Sequence, residues 1–259
     1  MTKTILFIHG AWMTPASWQA MRTDFEALGY KTLAPAWPYH EATILEQRTQ
    51  PDQRLTKIGL AELVKHYANI IAGLPEQPIL VGHSFGGLLV QLLLDKGYGA
   101  AGIAIDSAAP KGILAAAYPS AVRSSAAVLL RPWHRLNLPT PAQFNYAFAN
   151  GLTDAEQRNA YTYAVPETTS IFFQLVAATF QPNSPATVNF DNLNRAPLLL
   201  IAGENDHIVP PKMVQANFHK YNKKTDTTMI SFPNRTHWII GQTGHEAVSQ
   251  AIHKWLIVR

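Results

Sequence analysis

Short, uninterrupted apolar runs recur along the chain and alternate with longer segments of helical periodicity. TILFIHG (4–10), PILVGHS (78–84) and PLLLIAGEND (197–206) keep their polar residues for their last positions. Strands that are buried on both faces of a parallel sheet read in this way, whereas a strand with one solvated face alternates apolar and polar residues. Apolar runs that alternate with helices predict a doubly wound α/β fold with right-handed crossovers.

Helix and turn signals divide the chain into predicted elements. Strands are predicted over 4–10, 31–37, 78–84, 100–108, 197–206 and 227–234, and helices over 15–28, 56–74, 85–97, 211–221 and 245–257. Over 56–74 the apolar residues recur at three- and four-residue intervals, and glycines close two of the other helices. We therefore expect a mostly parallel sheet of about six strands with helices on both faces.

Residues 110–194 interrupt the alternation of strands and helices. They contain no convincing strand, but they carry helix-like patches, intervening prolines and many aromatic residues. A structureless loop of that length is unusual in a compact domain. We therefore expect a core formed by 1–109 and 195–259, with an inserted helical lid at 110–194. Ordinary helices packed on the sheet are the alternative.

Composition excludes several classes of protein. The 259 residues are 47% apolar and 15% charged, which is typical of a globular chain. The net charge is +4 and the basic residues are scattered, so neither a nucleic-acid surface nor a polybasic membrane patch is indicated. The chain has no cysteine and no metal-binding motif, so we expect no metal or cofactor. Without a long apolar run or a secretory signal, we expect a cytoplasmic monomer or homodimer.

One serine lies between glycines in VGHSFGG (81–87). Gly82, Ser84 and Gly86 fit the pattern G-x-S-x-G, which is weak evidence in isolation. Here an apolar strand runs into the pattern and a helix leaves it, and this context makes the pattern informative. The glycines are expected because a nucleophile on so sharp a turn leaves no room for neighbouring Cβ atoms. The sequence therefore predicts that Ser84 is a nucleophile.

A serine nucleophile needs a base, and the base needs an acid. His237 follows the last predicted strand, and Asp206 lies just past the strand before it, where ligand sites of open α/β sheets occur. The resulting chain order is Ser84, Asp206, His237, which is the order expected for this arrangement. Glu204 and Asp106 remain alternative acids, and Asp106 otherwise serves as a strand-end residue that accepts backbone hydrogen bonds.

Backbone amides are expected to bind the negative charge that develops on the substrate. The N–H of Phe85, directly after the nucleophile, is one predicted donor. The second should come from the loop after the first strand, where Ala11 is the first candidate and Trp12 the second. An apolar pocket is predicted beside these groups, lined by Trp12, Met13 and Trp238.

Four segments, FIHGAW, VGHSFGG, AGENDHIVP and RTHW, together resemble the α/β-hydrolase superfamily. The resemblance covers the chain outside the lid, and it implies an α/β-hydrolase fold with a helical lid and a Ser84–Asp206–His237 triad. The first strand begins at residue 4, so the sheet should be shortened to about six strands.

The activity expected from this resemblance is a serine esterase that acts on small carboxylic esters of short to medium acyl chain through an acyl-enzyme. The fold also hosts thioesterases, amidases, lactonases, C–C hydrolases and cofactor-free perhydrolases. Small-molecule receptors that keep the triad are a further alternative.

Overall fold

A six-stranded parallel sheet forms the centre of the protein. The structure is a computed structural model that describes residues 3–114 and 117–259. Its strands are β1 (Thr4–Ile8), β2 (Lys31–Leu33), β3 (Ile79–His83), β4 (Ala101–Ile105), β5 (Leu136–Asn137), β6 (Glu167–Thr168), β7 (Leu198–Gly203) and β8 (Thr227–Phe232). The central sheet has the order β2-β1-β3-β4-β7-β8, with every neighbouring pair parallel. The predicted parallel sheet of about six strands is confirmed.

Helices surround this sheet. They are α1 (Gln19–Ala27), α2 (Ile44–Thr49), α3 (Leu60–Ala72), α4 (Phe85–Asp95), α5 (Pro119–Leu129), α6 (Pro141–Phe148), α7 (Asp154–Thr162), α8 (Ser170–Ala178), α9 (Pro211–Lys220) and α10 (Glu246–Ile257), with 3-10 turns at Pro15–Trp18 and Gln53–Lys57. Helix α1 packs against α10, α3 packs against α4, and α9 packs against β7 and β8. The doubly wound architecture predicted from the apolar runs is confirmed.

Helix α4 is the central helix of the core. All of its residues from Phe85 to Leu94 are buried, and it packs against β1, β3 and β4. Gly97 follows its last turn with a φ of +82°, a left-handed conformation that glycine adopts without steric cost. This rigid strand–turn–helix unit holds the residue between β3 and α4, which is Ser84.

The segment between β4 and β7 is the one predicted to be a lid, which we call the lid segment, and it contains the helices from α5 to α8. Thr140 and Gln143 form a capping box at the start of α6, and Thr153 and Glu156 form another at the start of α7. The expectation that residues 110–194 hold no strand was wrong in one detail, because β5 and β6 pair antiparallel within them. Each of these strands has only two residues, which is too short for apolar alternation to be visible.

Within the described ranges, no helix is both long and apolar enough to cross a membrane.

Candidate active site

Five loops meet at the carboxyl edge of the central sheet. Ala11 follows β1, Ser84 follows β3, Asp106 follows β4, Asp206 follows β7 and His237 follows β8. Because parallel strands all end at the same edge, residues that are far apart in the sequence lie together there. This edge therefore contains the predicted nucleophile Ser84, the acid candidates Asp106 and Asp206, and the predicted base His237.

Ser84 occupies a strained turn between β3 and α4. Its φ is 56° and its ψ is −119°, a left-handed conformation that non-glycine residues seldom adopt. A Cβ atom added at Gly82 would overlap the carbonyl oxygen of Gly86, and one added at Gly86 would overlap the carbonyl oxygen of Ile8. Both glycines are therefore required sterically, and they let the turn present Ser84 at the sheet edge.

His237 and Asp206 form a buried hydrogen-bonded pair. The His237 Nδ1–H donates to Asp206 Oδ2 over 2.6 Å, and both side chains are fully buried. The other carboxylate oxygen of Asp206 accepts from the amides of Ile208 at 2.7 Å and Val209 at 2.9 Å. Burial lowers the pKa of His237 to about 3, so the resting ring is neutral. Its Nε2 is buried and has no hydrogen-bond partner in the described chain, which leaves a lone pair to take a proton.

His83, the residue before Ser84, connects the His237 loop to the turn. Its Nε2–H donates to the carbonyl oxygen of His237 over 2.8 Å, and the two ring centroids are 4.6 Å apart. Burial lowers the pKa of His83 well below its ordinary value, so this ring is also neutral. The contact holds the predicted base beside the predicted nucleophile.

Asp106, the rival acid, lies next to Asp206 but bonds to the backbone of β7. Its Oδ1 accepts from the amide of Gly203 over 2.7 Å, as expected of a strand-end residue, and its Oδ2 has no partner among the described residues. Burial and then the neighbouring Asp206 raise the pKa of Asp106. Burial raises the pKa of Asp206 as well, but its two backbone donors oppose the shift. We infer that Asp106 keeps its proton and that Asp206 carries the charge facing His237.

The loop after β1 lies directly beside Ser84. A Cβ atom added at Gly10 would be 2.8 Å from the Ser84 Cβ, so the two backbones are in close approach. Neither the amide of Ala11 nor that of Phe85 donates to another described residue, and the amide of Trp12 is also without an acceptor there. Unpaired N–H groups on both sides of a serine are what an oxyanion hole requires.

A histidine supports this loop from within the core. The Nδ1–H of His9 donates to the carbonyl oxygen of Gly10 over 3.0 Å, while its Nε2 accepts from the amide of Trp37 over 3.1 Å. Burial lowers the pKa of His9 to about 3, so the ring stays neutral and can hold both bonds.

The lid holds the same loop from the other side. Trp12 has a left-handed φ of 62°, its carbonyl oxygen accepts from the amide of Val165 at 2.9 Å, and its indole N–H donates to the carbonyl oxygen of Asn137 at 3.0 Å. Val165 and Asn137 belong to the lid segment. The predicted oxyanion loop is thus fixed between the core and the lid.

Aromatic rings form a continuous arc around the site. Phe148 meets the His237 ring edge-on at 4.8 Å and lies 5.9 Å from Trp12. Trp12 lies 4.7 Å from Phe172, which in turn meets Phe85 at 4.9 Å. We call these four rings, those of Trp12, Phe85, Phe148 and Phe172, the aromatic arc. It runs from the predicted base to the residue after the predicted nucleophile, so a substrate at Ser84 would contact apolar surface.

The other two predicted pocket residues lie outside this arc. Met13 is fully buried. The ring of Trp238 packs 5.3 Å from Tyr163, and its amide donates to the carbonyl oxygen of Phe148 over 2.9 Å. Their role as pocket residues stays a prediction. Sequence reasoning noted the aromatic residues of the lid, but only the fold shows that Phe148 and Phe172 are the ones beside the site.

The predicted nucleophile is largely buried. Ser84 is only 6% exposed. Two surface cavities lie elsewhere. One of about 360 Å³ lies at the amino ends of β1, β3 and β4, and one of about 440 Å³ lies beside α3 and α4.

Three side chains near the site could approach a metal ion. Ligand atoms of His83, Asp106 and His237 lie within 4.8 Å of one another. However, His83 and His237 each use one ring nitrogen in the hydrogen bonds described above, and Asp106 uses one oxygen. These bonds already account for the orientation of all three side chains.

Comparison with known families agrees with this geometry. Residues 5–251 match the model of the alpha/beta hydrolase family. The chain belongs to this family. The match extends from β1 into α10, and it confirms the superfamily that the sequence motifs resemble.

Several solved alpha/beta hydrolase structures are similar to the whole chain. They include a monoacylglycerol lipase from Paleococcus ferrophilus (22% identity, TM-score 0.69, 99% of this chain and 96% of that one). A methylesterase from Arabidopsis (14%, 0.71, 100% of both chains) and a pyrethroid hydrolase from Sphingobium faniae (19%, 0.66, 98% and 97%) are also similar. At these identities the likeness shows a shared fold. No curated protein sequence matches the chain.

Proposed function

We propose that the protein is a serine hydrolase that cleaves carboxylic esters of short to medium acyl chain. The observation that carries this proposal is the buried His237–Asp206 hydrogen bond, which leaves His237 Nε2 unpaired beside the strained turn of Ser84. The family supports a hydrolase. The similar structures of a lipase, a methylesterase and a pyrethroid hydrolase support an ester as the substrate.

The first half of the reaction forms an acyl-enzyme. The Ser84 Oγ attacks the carbonyl carbon of the ester while His237 Nε2 takes the hydroxyl proton. The carbonyl oxygen becomes an oxyanion, and the N–H groups of Phe85 and Ala11 stabilise it. Asp206 holds the His237 tautomer and stabilises the imidazolium. The tetrahedral intermediate collapses, the C–O bond to the alcohol breaks, and the alcohol takes the proton from His237.

The second half returns the enzyme to its starting state. A water molecule attacks the acyl carbon and His237 Nε2 takes one of its protons. The same two N–H groups stabilise the second oxyanion. Its collapse breaks the bond to Ser84, which regains the proton from His237, and the carboxylic acid leaves.

The aromatic arc restricts the acyl group that can bind. It presents the rings of Trp12, Phe148 and Phe172 and no charged side chain. A charge on the acyl group would be desolvated without a partner there, which is costly. We therefore expect neutral, apolar acyl groups of short to medium length.

The experiment that tests this proposal compares Ser84→Ala with a matched control. Ser107→Ala changes a buried serine at the same sheet edge whose hydroxyl only donates to the Ala108 carbonyl oxygen and accepts from Gln91. With p-nitrophenyl esters of increasing acyl length, Ser84→Ala should lower kcat by about 10⁴-fold or more. Ser107→Ala should stay within about tenfold of the unmodified protein, the scale of one lost neutral hydrogen bond.

A panel of amides and thioesters separates the other activities of the fold. The proposal expects esters to be turned over faster than amides and thioesters of the same acyl group. Undiminished ester turnover by Ser84→Ala would eliminate Ser84 as the nucleophile. Faster cleavage of an amide or thioester would correct the substrate class and leave the nucleophile in place.

A further inference from the structure

The lid segment has an exposed apolar face. At and after the end of α5, Leu130 is 85% exposed and Trp133 is 44% exposed. On α8, Val176 is 50% exposed, and just beyond this helix Phe180 is 83% exposed. The Trp133 ring stacks on Phe173 at 5.3 Å, so the end of α5 and the face of α8 are continuous. We call this surface, Leu130, Trp133, Val176 and Phe180, the outer lid face.

Helix α8 is apolar on two opposite sides. Ile171 and Ala178 are buried on one side, whereas Phe172 is itself one ring of the aromatic arc. Val176, and Phe180 just beyond the helix, lie on the side opposite Ile171 and Ala178, because each residue advances a helix by about 100°. By the same geometry Phe172, one turn before Val176, lies next to this outer side. The inner side explains why α8 packs on the core. The outer side stays exposed among the residues that the structure describes. Clustered exposed apolar groups mark an interaction surface more often than chance.

Exposed cations border the outer lid face. Arg131 and Arg135 are exposed on the segment that joins α5 to β5. Lys57 is also exposed. It lies near the start of α8, because the carbonyl oxygen of the preceding residue, Thr56, accepts a hydrogen bond from the side chain of Ser170. Residues 112–153 and 168–190 contain no aspartate or glutamate.

The carboxylates closest to this surface lie on its flank. Glu62 is near Gln174 on the side of α8, where it accepts from the amide of Gly59. Asp52 is paired with Arg54. The outer lid face is therefore an apolar surface bordered mainly by cations.

We propose that the outer lid face docks the protein on a membrane surface that carries anionic phospholipids. Leu130, Val176 and Phe180 would enter the boundary between headgroups and acyl chains, Trp133 would lie at the headgroup level, and the arginines would bind lipid phosphates. Phe172 of the aromatic arc lies one helical turn before Val176 on α8, so docking would bring the lipid surface close to the predicted site. The sequence alone indicates no such patch, because Trp133 and Phe173, which stack at the centre of this surface, are far apart in the chain.

The charge pattern favours a lipid surface over a second copy of the chain. A twofold interface places the same patch on both subunits. Arg131 and Arg135 would then face a partner patch that has cations and lacks carboxylates, which costs free energy. An anionic membrane complements both the apolar centre and the basic border.

The test uses the Ser84→Ala variant, so that binding is measured without hydrolysis and independently of the proposed function. The protein is sedimented with vesicles of phosphatidylcholine alone, or of phosphatidylcholine with phosphatidylserine, at low and at physiological salt. Two variants probe the surface, Leu130→Ser with Phe180→Ser, and Arg131→Gln with Arg135→Gln. The matched control is Ile257→Ser with Lys254→Gln, since both residues are exposed on α10.

We expect binding to vesicles that contain phosphatidylserine, with weaker binding at higher salt. The arginine pair should contribute about 30-fold to the partition coefficient, from roughly fivefold for each cation at an anionic surface. The apolar variant should lower binding by more than tenfold, and the α10 control should leave it unchanged. Equal binding by all variants, or no binding to either vesicle, would refute the proposal. Light scattering that shows a dimer which Leu130→Ser with Phe180→Ser dissociates would assign the face to a second copy instead.

Discussion

Replacing each of the two buried aspartates with asparagine tests which of them, Asp206 or Asp106, acts as the acid of the triad. In Asp206→Asn, the amide oxygen can still accept from the backbone amides of Ile208 and Val209. The amide nitrogen then faces His237 Nδ1. In the unmodified protein Asp206 Oδ2 occupies this place and accepts a hydrogen bond from Nδ1–H over 2.6 Å. The ring must move its proton to Nε2, and it can no longer take one from Ser84.

The size of the effect follows from the loss of the base and of the charge that stabilises the imidazolium. We expect kcat to fall by about 10⁴-fold, as the wrong histidine tautomer causes in other triads. At about 1.4 kcal/mol for each tenfold change in rate, this is roughly 5 kcal/mol of transition-state stabilisation.

Asp106→Asn is the matched control, because burial and the neighbouring Asp206 raise the pKa of Asp106 and so favour its protonated form. An asparagine keeps the acceptor for the Gly203 amide and supplies N–H donors toward Asp206, as a protonated carboxyl does. Asparagine also tolerates the left-handed φ of 43° at this position. We expect kcat within about tenfold of the unmodified protein, the scale of one hydrogen bond.

The assay is ester hydrolysis under saturating substrate, with circular dichroism to show that both variants are folded. A larger loss from Asp106→Asn than from Asp206→Asn would refute the assignment of the acid. Equal losses would indicate that the two carboxyls act as one unit. That outcome would contradict their separate roles, in which Asp206 bonds to His237 and Asp106 bonds to the Gly203 amide.

Two further predictions follow from the geometry of the site. Gly86→Ala places a methyl group on the Ile8 carbonyl oxygen. It should destabilise the fold by about 3 kcal/mol or more, measured by urea denaturation, whereas unchanged stability would contradict the described elbow. In the pH profile of kcat/KM, activity should fall as the pH falls through the pKa of His237, because an imidazolium cannot take the serine proton. Since burial lowers that pKa, the acid limb should lie well below pH 6.5, and a limb at or above 6.5 would show that the ring is not desolvated as described.

Much of the core could be predicted because its strands are buried on both faces. An apolar run such as Leu198–Gly203 has no other stable place in a domain of this size, and the alternation with helices then requires parallel pairing. The edge strand β2 was predicted less well. Its apolar run covers 31–37, but only Lys31–Leu33 pairs with β1, and the chain then turns to bury Trp37.

From the sequence, only those site residues could be predicted that directly follow a strand of the central sheet. Asp106 and Asp206 both follow strands, so the sequence left both as acids, and the turn after β7 decides which one faces His237. Phe148 and Phe172 could not be singled out among the lid aromatics. Their positions depend on how the lid helices pack on the core, and that packing has no local sequence signal.

The central claim is that Ser84 is a hydroxyl made reactive by the buried His237–Asp206 pair. Mass spectrometry after treatment with a fluorophosphonate tests it most directly. We predict one phosphonyl group per folded chain, attached to Ser84, with labelling at least about a hundredfold slower in Asp206→Asn and absent in Ser84→Ala. Label on any other residue, or labelling of Ser84 at the same rate in the unfolded chain, would contradict the account.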